Sequence, residues 1–536
     1  MADPTTPLLP PSSPKSSSSP AASLDDMIER CVGSLGPAQL LQALLVSLSW
    51  LFDAQQTFVT VFTDAPPPWR CTGCGGDHRP PTPCGLPDGA AWSWDRPAPA
   101  SVVSEWSLQC AGAALAGLPS SAYFAGCLAG GLLLATLADS TLGRKRMLCL
   151  SCLGMASAGV LTAASPNVWV YAALRFAGGF ARATISTSAL VLSTELVGKR
   201  WRGEVGILGF LFFPLGFLSL PAMAFANRNS SWRMLYLWTS APALLYSALV
   251  HFFVRESPRW LLVRGRREEA VRVLKDIAAS NGKDVLSYSF SGFNAFAGEE
   301  EDCGTNSSRD VYSALRVLVG KPWAVRRLAA VMAAGFGIGT VYYGMPLAVG
   351  SLGSDLYLGV VLSALSEIPS AFITFFLIGG INRRGAVLGF TLAGGACSAA
   401  CVFLGEAGET GARTAAEVAS FFCACTAFNV VLIYTLELFP TSVRNSALSM
   451  VRQALVLGGM AAPLLVAASR GRGSAGGVVT FGVFAVVIAG CGLFVVCLPE
   501  TRGGGICDTL EEQECRDRSK GVAGAGEGEG ESNPSV

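Results

Sequence analysis

The chain has 536 residues, of which 51% are hydrophobic and only 14% are charged, and its mean hydropathy is +0.46. A soluble protein normally carries about 25% charged residues, so this composition excludes a series of ordinary soluble domains and predicts that most of the chain lies in a lipid bilayer. The net charge of +1 gives no electrostatic footprint for nucleic acid. The two histidines, His78 and His251, do not form a ligand pair, and we expect no metal site.

The N-terminal segment, residues 1–37, is rich in proline and serine and lacks apolar periodicity. Such a composition cannot bury enough apolar surface to fold, so we predict a disordered tail. The segment also lacks the basic stretch and short apolar core of a cleavable signal peptide. We therefore expect the N-terminus to stay in the cytosol.

Twelve apolar stretches follow, each close to the roughly 20 residues that a helix needs to cross the hydrocarbon layer. They are residues 38–62, 114–137, 146–164, 168–192, 204–226, 233–254, 326–349, 355–380, 386–405, 412–438, 446–469 and 476–498. The sequence therefore predicts an all-α membrane protein of twelve transmembrane helices. Its expected parts are an N-terminal six-helix half (38–254), a central loop (255–325), a C-terminal six-helix half (326–498) and a tail (499–536).

Basic residues are concentrated in the loops on one side of the predicted bundle, including the central loop 255–325. Because cytoplasmic loops carry an excess of Lys and Arg, we expect this side and both termini to be cytoplasmic. The polar insert 63–107 then lies on the extracytosolic side.

Four cysteines lie in or just after this insert: Cys71, Cys74, Cys84 and Cys110. Because extracytosolic compartments are oxidising, we predict disulfides, and two bridges among four cysteines allow three connectivities. Cys71 and Cys74 are spaced as in a zinc or redox motif, so a zinc site and free thiols are the alternatives.

Two local patterns predict packing rather than ligand binding. Gly126 and Gly130 form a small-residue motif that is typical of closely packed transmembrane helices. In the central loop, Ser257-Pro258 is a helix start, and apolar residues recur at helical spacing over 266–279. We predict an amphipathic helix there, lying along the cytoplasmic face.

The two predicted halves repeat each other in sequence. Glu195 is followed by Arg202, and Glu437 is followed at the same spacing by Arg444, 242 residues later. Similar offsets relate two further pairs of positions, Glu256 with Glu500 and Asp139 with Asn382. Two six-helix halves related by a pseudo-two-fold axis are typical of secondary transporters, which bind substrate at the midplane between the halves.

Four motifs resemble those of a known family. The segment from Asp139 to Lys145, DSTLGRK, resembles the cytoplasmic loop signature of the major facilitator superfamily. With Ser104-Glu105-Trp106, the run ESPRWLLVRGR from Glu256, and YTLELFPTSVRNSA from Tyr434, the chain is similar to the organic cation/carnitine transporters, particularly the plant branch, over about residues 35 to 515. The loop departs from the family signature at one point: Gly143 follows Asp139 by four residues, whereas the family usually has a spacing of three.

The resemblance implies a cytoplasmic gate of ion pairs that form between helices and break when this side opens. Its members here are Asp139, Arg144, Glu195, Arg202, Glu437 and Arg444. The alternative is that these charges only set the topology. That alternative does not require a fixed Glu–Arg spacing in both halves.

Ionisable side chains inside the bilayer are costly, so each one is a candidate for function. The candidates in the predicted spans are Asp53, Arg175, Arg182, Glu367 and Arg452. Arg182 is the better cavity candidate of the two arginines in the fourth span. For Arg175 we also consider a structural role as partner to a carbonyl or an acid.

A zwitterionic substrate can use several of these groups. Glu367, with Tyr342 or Tyr343, can contact a quaternary ammonium group, and Arg452 or Arg182 can bind a carboxylate. The competing interpretations are a purely structural hydrogen bond for Glu367 and lipid-exposed positions for the tyrosines. Relative to the resembling family, Val456 stands where animal cation carriers tend to have Asp and anion and carnitine carriers Arg, and Arg452 is one turn away.

We therefore predict a secondary active or facilitative transporter of organic cations and zwitterions such as carnitine, working by alternating access. The alternatives are a sugar or polyol porter of the same fold, a transporter-like receptor and a membrane enzyme, although the sequence shows no convergent catalytic residues. We expect no cofactor, proton or sodium coupling as options, a functional monomer, and a location in the plasma membrane or the vacuolar membrane.

Overall fold

The computed structural model describes residues 29, 32–72, 83–86, 91–134, 142–282, 316–352, 355–377, 380–406, 409–470, 474–502, 507 and 509–516. The described helices that follow the predicted order are numbered here as spans 1 to 12. Span 1 comprises three consecutive helices (Pro37–Ser47, Ser49–Phe58, Thr60–Thr63), and span 4 comprises two (Val168–Arg182, Ile185–Thr194). The others are Ala113–Leu133 (span 2), Arg144–Thr162 (3), Arg202–Ala226 (5), Trp232–Phe253 (6), Pro322–Ala348 (7), Leu356–Leu377 (8), Arg383–Glu406 (9), Thr410–Leu438 (10), Arg444–Arg470 (11) and Ser474–Leu493 (12).

Within the described residues, eight helices are long and apolar enough to cross a membrane on their own. Spans 1, 3, 4 and 6 are not among them. Spans 1 and 4 are divided into shorter helices, span 3 begins with Arg144-Lys145-Arg146, and span 6 carries Arg233 and His251 near its ends. The order of helices nevertheless follows the predicted one.

The insert between spans 1 and 2 contains the first departure from the all-α prediction. Strands β1 (Trp69–Cys71) and β2 (Trp92–Trp94) pair antiparallel in a two-stranded hairpin. Disulfides were predicted here without a connectivity, and the structure pairs Cys84 with Cys110. Cys71 is also disulfide-bonded, whereas Cys74 lies outside the described residues. We call this end of the helix bundle the disulfide end and the opposite end the basic end.

The motif Ser104-Glu105-Trp106 attaches the insert to the bundle. Glu105 pairs with Arg233 at the start of span 6 and accepts a hydrogen bond from the Trp232 indole at 2.6 Å. Trp106 packs edge-on against Trp232 and Tyr171. The motif thus ties the insert to spans 4 and 6.

The central loop begins with the predicted helix start. Ser257 accepts a hydrogen bond from the Trp260 N–H, and helices Pro258–Val263 and Arg267–Ser280 follow. The second helix buries Leu274 and Ile277 against Val32, which confirms its amphipathic character. Val32 belongs to the segment predicted to be a disordered tail, so the packed part of the chain begins before residue 37.

Pseudo-symmetry between the halves appears at the starts of spans 3 and 9. The Glu256 carboxylate accepts hydrogen bonds from the backbone N–H groups of Arg144 and Lys145, both at 3.0 Å. The Glu500 carboxylate does the same for Arg383 and Arg384, at 2.9 and 3.1 Å. A carboxylate is stabilised at a helix N-terminus by the free N–H groups and the helix dipole. The sequence repeat therefore corresponds to the same capping contact in both halves.

Glycines set how closely neighbouring spans approach. A Cβ at Gly126 would lie 2.0 Å from the Phe176 carbonyl oxygen, and one at Gly130 would lie 2.3 Å from that of Phe180. These contacts confirm the predicted packing of span 2, here against span 4. Gly458 of span 11 approaches the Phe336 oxygen of span 7 in the same way. Spans 2 and 11 pack against each other, as do spans 5 and 8, and these two contacts join the halves.

Candidate functional site

The N-terminal half contributes a buried ion pair between spans 1 and 4. Asp53 of span 1 faces Arg182, which ends the first helix of span 4. The guanidinium donates through Nε and Nη2 to the two carboxylate oxygens, with 3.1 Å between Nη2 and Oδ2. The Asp53 side chain is only 2% exposed. Because each group neutralises the other, Arg182 has little capacity left for a substrate carboxylate.

The C-terminal half contributes a carboxylate that is only half satisfied. The Tyr342 hydroxyl of span 7 donates to Glu367 Oε1 of span 8 at 2.7 Å. Glu367 Oε2 is buried and has no hydrogen-bond partner within the described residues. Tyr342 and Tyr343 are both buried, so they are not the lipid-exposed tyrosines of the competing interpretation. One oxygen of Glu367 is therefore available to a cation.

An aromatic wall joins the two halves around these tyrosines. The Phe58 ring of span 1 lies 6.2 Å from that of Tyr342 and 6.4 Å from that of Tyr343. Phe124 of span 2 lies 4.7 Å from Tyr343, and Phe421 of span 10 stacks on Tyr342. These three phenylalanines were not predicted, because nothing in the local sequence distinguishes them from the other phenylalanines of the spans.

Arg452 of span 11 lies beside this wall. Its half-buried guanidinium is within electrostatic range of Tyr343 and Arg182. No hydrogen bond or ion pair holds it within the part of the chain that the structure describes. Val456, one turn further along, packs partly buried against the core. Arg452 is therefore the base with free capacity for an anionic group.

Arg175 occupies a different environment from Arg182. Its Nη1 donates to the Gln56 carbonyl oxygen at 3.0 Å, and its guanidinium lies over the Tyr123 ring at 4.0 Å from the centroid. The side chain holds span 4 to spans 1 and 2. This arrangement agrees with the structural role considered for it, as partner to a carbonyl.

The halves touch each other at the disulfide end. The Tyr357 ring of span 8 stacks on Phe62 of span 1 at 5.6 Å and meets Phe225 of span 5 at 5.5 Å. Arg470, which ends span 11, donates to the Asp64 carbonyl oxygen at 3.4 Å. In this conformation the disulfide end of the central site is covered.

Removing the Tyr357 ring should loosen this contact. We expect Tyr357→Ala to make the buried thiol introduced by Val61→Cys react several-fold faster with a membrane-impermeant thiol reagent, because two inter-half ring contacts are lost. Tyr357→Phe retains the ring and serves as the matched control. Equal labelling rates in the Ala and Phe variants, measured by mass spectrometry, would show that these rings do not hold the halves together.

The gate residues that the structure describes lie at the basic end, and only some of their contacts can be given. Asp139 lies outside the described residues, so the gate as a whole stays a prediction. Glu437 pairs with Arg383 at 3.2 Å and accepts from the Thr501 hydroxyl at 2.6 Å, and it does so instead of pairing with Arg444. Arg444 Nε donates to the Phe439 carbonyl oxygen at 3.4 Å.

The remaining gate residues keep the predicted placement at this end. Glu195 follows the last helix of span 4, and Arg202 begins span 5. Arg144 begins span 3, where its backbone N–H is capped by Glu256.

Sequence reasoning missed one intramembrane acid. Glu417 lies within span 10 and is 0% exposed. It is an acid in an otherwise apolar run, AAEVASFF, inside a segment that we predicted to cross the membrane. The signal was therefore available in the sequence by the same criterion that identified Glu367.

Comparison with known proteins identifies the family. Residues 101–514 match the family described as sugar (and other) transporter. "Organic cation/carnitine transporter 2" of Arabidopsis thaliana is 55% identical over 533 residues, covering 98% of this chain and 99% of that protein. The chain belongs to the organic cation/carnitine transporter family of the major facilitator superfamily. A second member of this family from the same plant, "Organic cation/carnitine transporter 3", is 54% identical over 97% of this chain and 99% of its own length.

This member of the organic cation/carnitine transporter family is also similar to an animal protein and shares its fold with a solved sugar transporter. "Solute carrier family 22 member 3" of Mus musculus is 31% identical over 77% of this chain and 72% of that protein. The inward-open structure of the xylose transporter XylE from E. coli superposes with a TM-score of 0.59 at 18% identity, covering 89% of this chain and 98% of that one. The protein is thus a multi-pass membrane transporter with the predicted major facilitator fold.

Proposed function

We propose that this transporter carries small organic cations and zwitterions, with carnitine-like molecules as the preferred class. One observation carries the proposal: among the described residues near the aromatic wall, one oxygen of Glu367 and the guanidinium of Arg452 have no partner, while Asp53 and Arg182 satisfy each other. A quaternary ammonium group suits Glu367 and the faces of Tyr342 and Tyr343. A carboxylate suits Arg452 through a charge-assisted hydrogen bond. The names of the relatives support the same class.

We also infer the orientation and the transport cycle. The loops of the basic end suit the cytosol, and a disulfide suits an oxidising, extracytosolic compartment. Both termini are then cytoplasmic. Alternating access moves the two halves relative to each other around the site, and the contacts of Tyr357 at the disulfide end fit a conformation that is closed to the outside.

The proposal extends to assembly, location and energy source. Both halves of the site come from one chain, which favours a functional monomer. We propose the plasma membrane or the vacuolar membrane as its location. Transport needs no bound cofactor in this scheme, and coupling to protons or sodium is the proposed energy source.

Uptake of labelled carnitine and tetraethylammonium tests the substrate class. Breaking a desolvated charge pair costs about 2 to 5 kcal/mol. We therefore expect Arg452→Gln to raise the half-saturation concentration for carnitine by about 30-fold or more, with a much smaller change for tetraethylammonium, which has no carboxylate. Glu367→Gln should weaken both substrates. Arg326→Gln, at an exposed position near the start of span 7, is the matched control and should leave both values unchanged.

Two outcomes would contradict this assignment. Equal losses for carnitine and tetraethylammonium in Arg452→Gln would make Arg452 structural and remove the argument for a zwitterion. Saturable uptake of labelled xylose, in place of either amine, would instead favour the sugar porter.

A further inference from the structure

Glu417 is a buried carboxyl group that the substrate site does not use. It lies seven residues after the start of span 10, hence about 10 Å from the disulfide end of that helix. Its Oε1 is 3.3 Å from the Ser363 hydroxyl of span 8. Its Oε2 is buried and has no hydrogen-bond partner within the described residues. A carboxylate in this position would keep an unsatisfied charge in the membrane interior, which is costly.

The hydrogen bonds around Ser363 favour a protonated Glu417. Ser363 has one hydroxyl proton and two candidate acceptors, Glu417 Oε1 and the Gly359 carbonyl oxygen. The Gly359 oxygen is nearer, at 2.9 Å. If the serine donates to Gly359, the contact with Glu417 is satisfied only when Glu417 carries a proton and donates it to the serine oxygen.

Among the described residues, few ionisable groups surround Glu417. Span 9 contributes Cys401. Span 10, which carries Glu417 itself, contributes Arg413, one turn nearer the disulfide end. From spans 7, 8 and 11 no charged group acts on Glu417 within the described residues. Arg413 Nε and Nη2 are buried and also have no hydrogen-bond partner there. A hard metal cation needs a shell of several oxygen ligands, whereas a proton needs only the carboxylate.

Glu417 is mechanically linked to the substrate site. Ser363 and Glu367 lie one turn apart on span 8, and Glu417 and Phe421 lie one turn apart on span 10. Residues four apart share one face of a helix. Phe421 stacks on Tyr342 with ring centroids 5.6 Å apart, and Tyr342 donates to Glu367. A change at Glu417 therefore reaches Glu367, the carboxylate of the substrate site, through one layer of side chains.

We propose that Glu417 is a proton-binding site that couples substrate transport to a proton gradient. One proton from the extracytosolic side forms the O–H bond of Glu417, and the group then contacts Ser363, as in this conformation. When the proton leaves to the cytosol, the carboxylate turns to Arg413, which lies on the same helix face. The proton is the only species gained and lost. This inference rests on the proposed function, since it concerns the same transport cycle.

The test uses the full-length protein in proteoliposomes with the membrane potential clamped at zero. Counterflow of labelled carnitine and tetraethylammonium at equal pH reports binding and translocation. Accumulation with an alkaline interior reports coupling, since one pH unit supports about tenfold accumulation for one proton per substrate. We expect Glu417→Gln to keep counterflow within about twofold of the wild type and to lose accumulation, because an amide cannot titrate. Glu409→Gln, an exposed acid at the same end, is the matched control and should accumulate normally.

The outcomes separate this inference from the proposed function. Absence of counterflow in the wild type contradicts the proposed function and takes this inference with it. If the wild type shows counterflow but no gradient-driven accumulation, only the inference is overturned. The same holds if a folded Glu417→Gln protein accumulates substrate normally or loses counterflow. If that variant does not fold, Arg413→Gln decides. Without the Arg413 cation, Glu417 releases its proton less readily, so the internal pH for half-maximal accumulation should rise. An unchanged value overturns the proposal.

Discussion

Asp53→Asn should destabilise the transporter and abolish most of its activity. The substitution leaves the Arg182 guanidinium buried without its counter-charge, next to the substrate site. Breaking a buried pair by removing one partner costs about 3 to 5 kcal/mol. We expect a lower midpoint of thermal unfolding in detergent and a strongly reduced rate of labelled carnitine uptake.

The double variant Asp53→Asn/Arg182→Gln distinguishes pairing from other roles of Asp53. It removes both charges, so it should be more stable than Asp53→Asn alone, and a double-mutant cycle should show strong coupling. Additive losses of stability would mean that the two side chains do not stabilise each other. Uptake should stay low in the double variant if the pair also positions Tyr343 and Arg452.

Gly458→Ala is expected to disrupt the packing of spans 7 and 11. The new Cβ would lie 2.3 Å from the Phe336 oxygen and 2.6 Å from the Thr340 nitrogen, and backbone atoms cannot move aside as a flexible side chain can. Separating the two helices would displace Arg452 from Tyr343 of span 7. We expect lower recovery of folded protein on gel filtration and little uptake from the protein that remains.

A second glycine gives the matched control for this substitution. Gly490 of span 12 is exposed, and a Cβ there would meet nothing within 4 Å. Because alanine is the better helix former, Gly490→Ala should be neutral or slightly stabilising. If Gly458→Ala and Gly490→Ala behave alike, close approach at Gly458 is not required.

The helical fold was predictable because a bilayer imposes a length and an apolar composition on every crossing segment. The correspondence between Glu256 and Glu500 was also predictable, because the spacing between them is close to the spacing between other matching positions of the two halves. What could not be predicted is pairing over distance. Asp53 and Arg182 are 129 residues apart and come together only when spans 1 and 4 pack. The β1–β2 hairpin was missed because its strands are only three residues long.

The candidate site was predictable in its charges but not in its shape. From the sequence we grouped Glu367 with Tyr342 or Tyr343, and the structure shows a hydrogen bond between Glu367 and Tyr342. The sequence left Arg182 and Arg452 as alternative ligands for a carboxylate. Only the packing of spans 1 and 4 shows that Arg182 is already paired with Asp53. Phe58 and Phe421 are ordinary apolar residues until neighbouring helices turn them toward the tyrosines. Glu417 was readable from the sequence and was overlooked.

The two glutamate caps have a consequence for how the protein moves. Glu256 belongs to the chain that leaves span 6, yet it holds the start of span 3, and Glu500 leaves span 12 and holds the start of span 9. Each half is thereby closed on itself at the basic end, where its last helix is bonded to the start of its third. Bending within a half would break these bonds, whereas tilting one whole half against the other leaves them intact. The motion that carries substrate should therefore be a rocking of two stiff bodies, with the flexing confined to the surfaces where they meet.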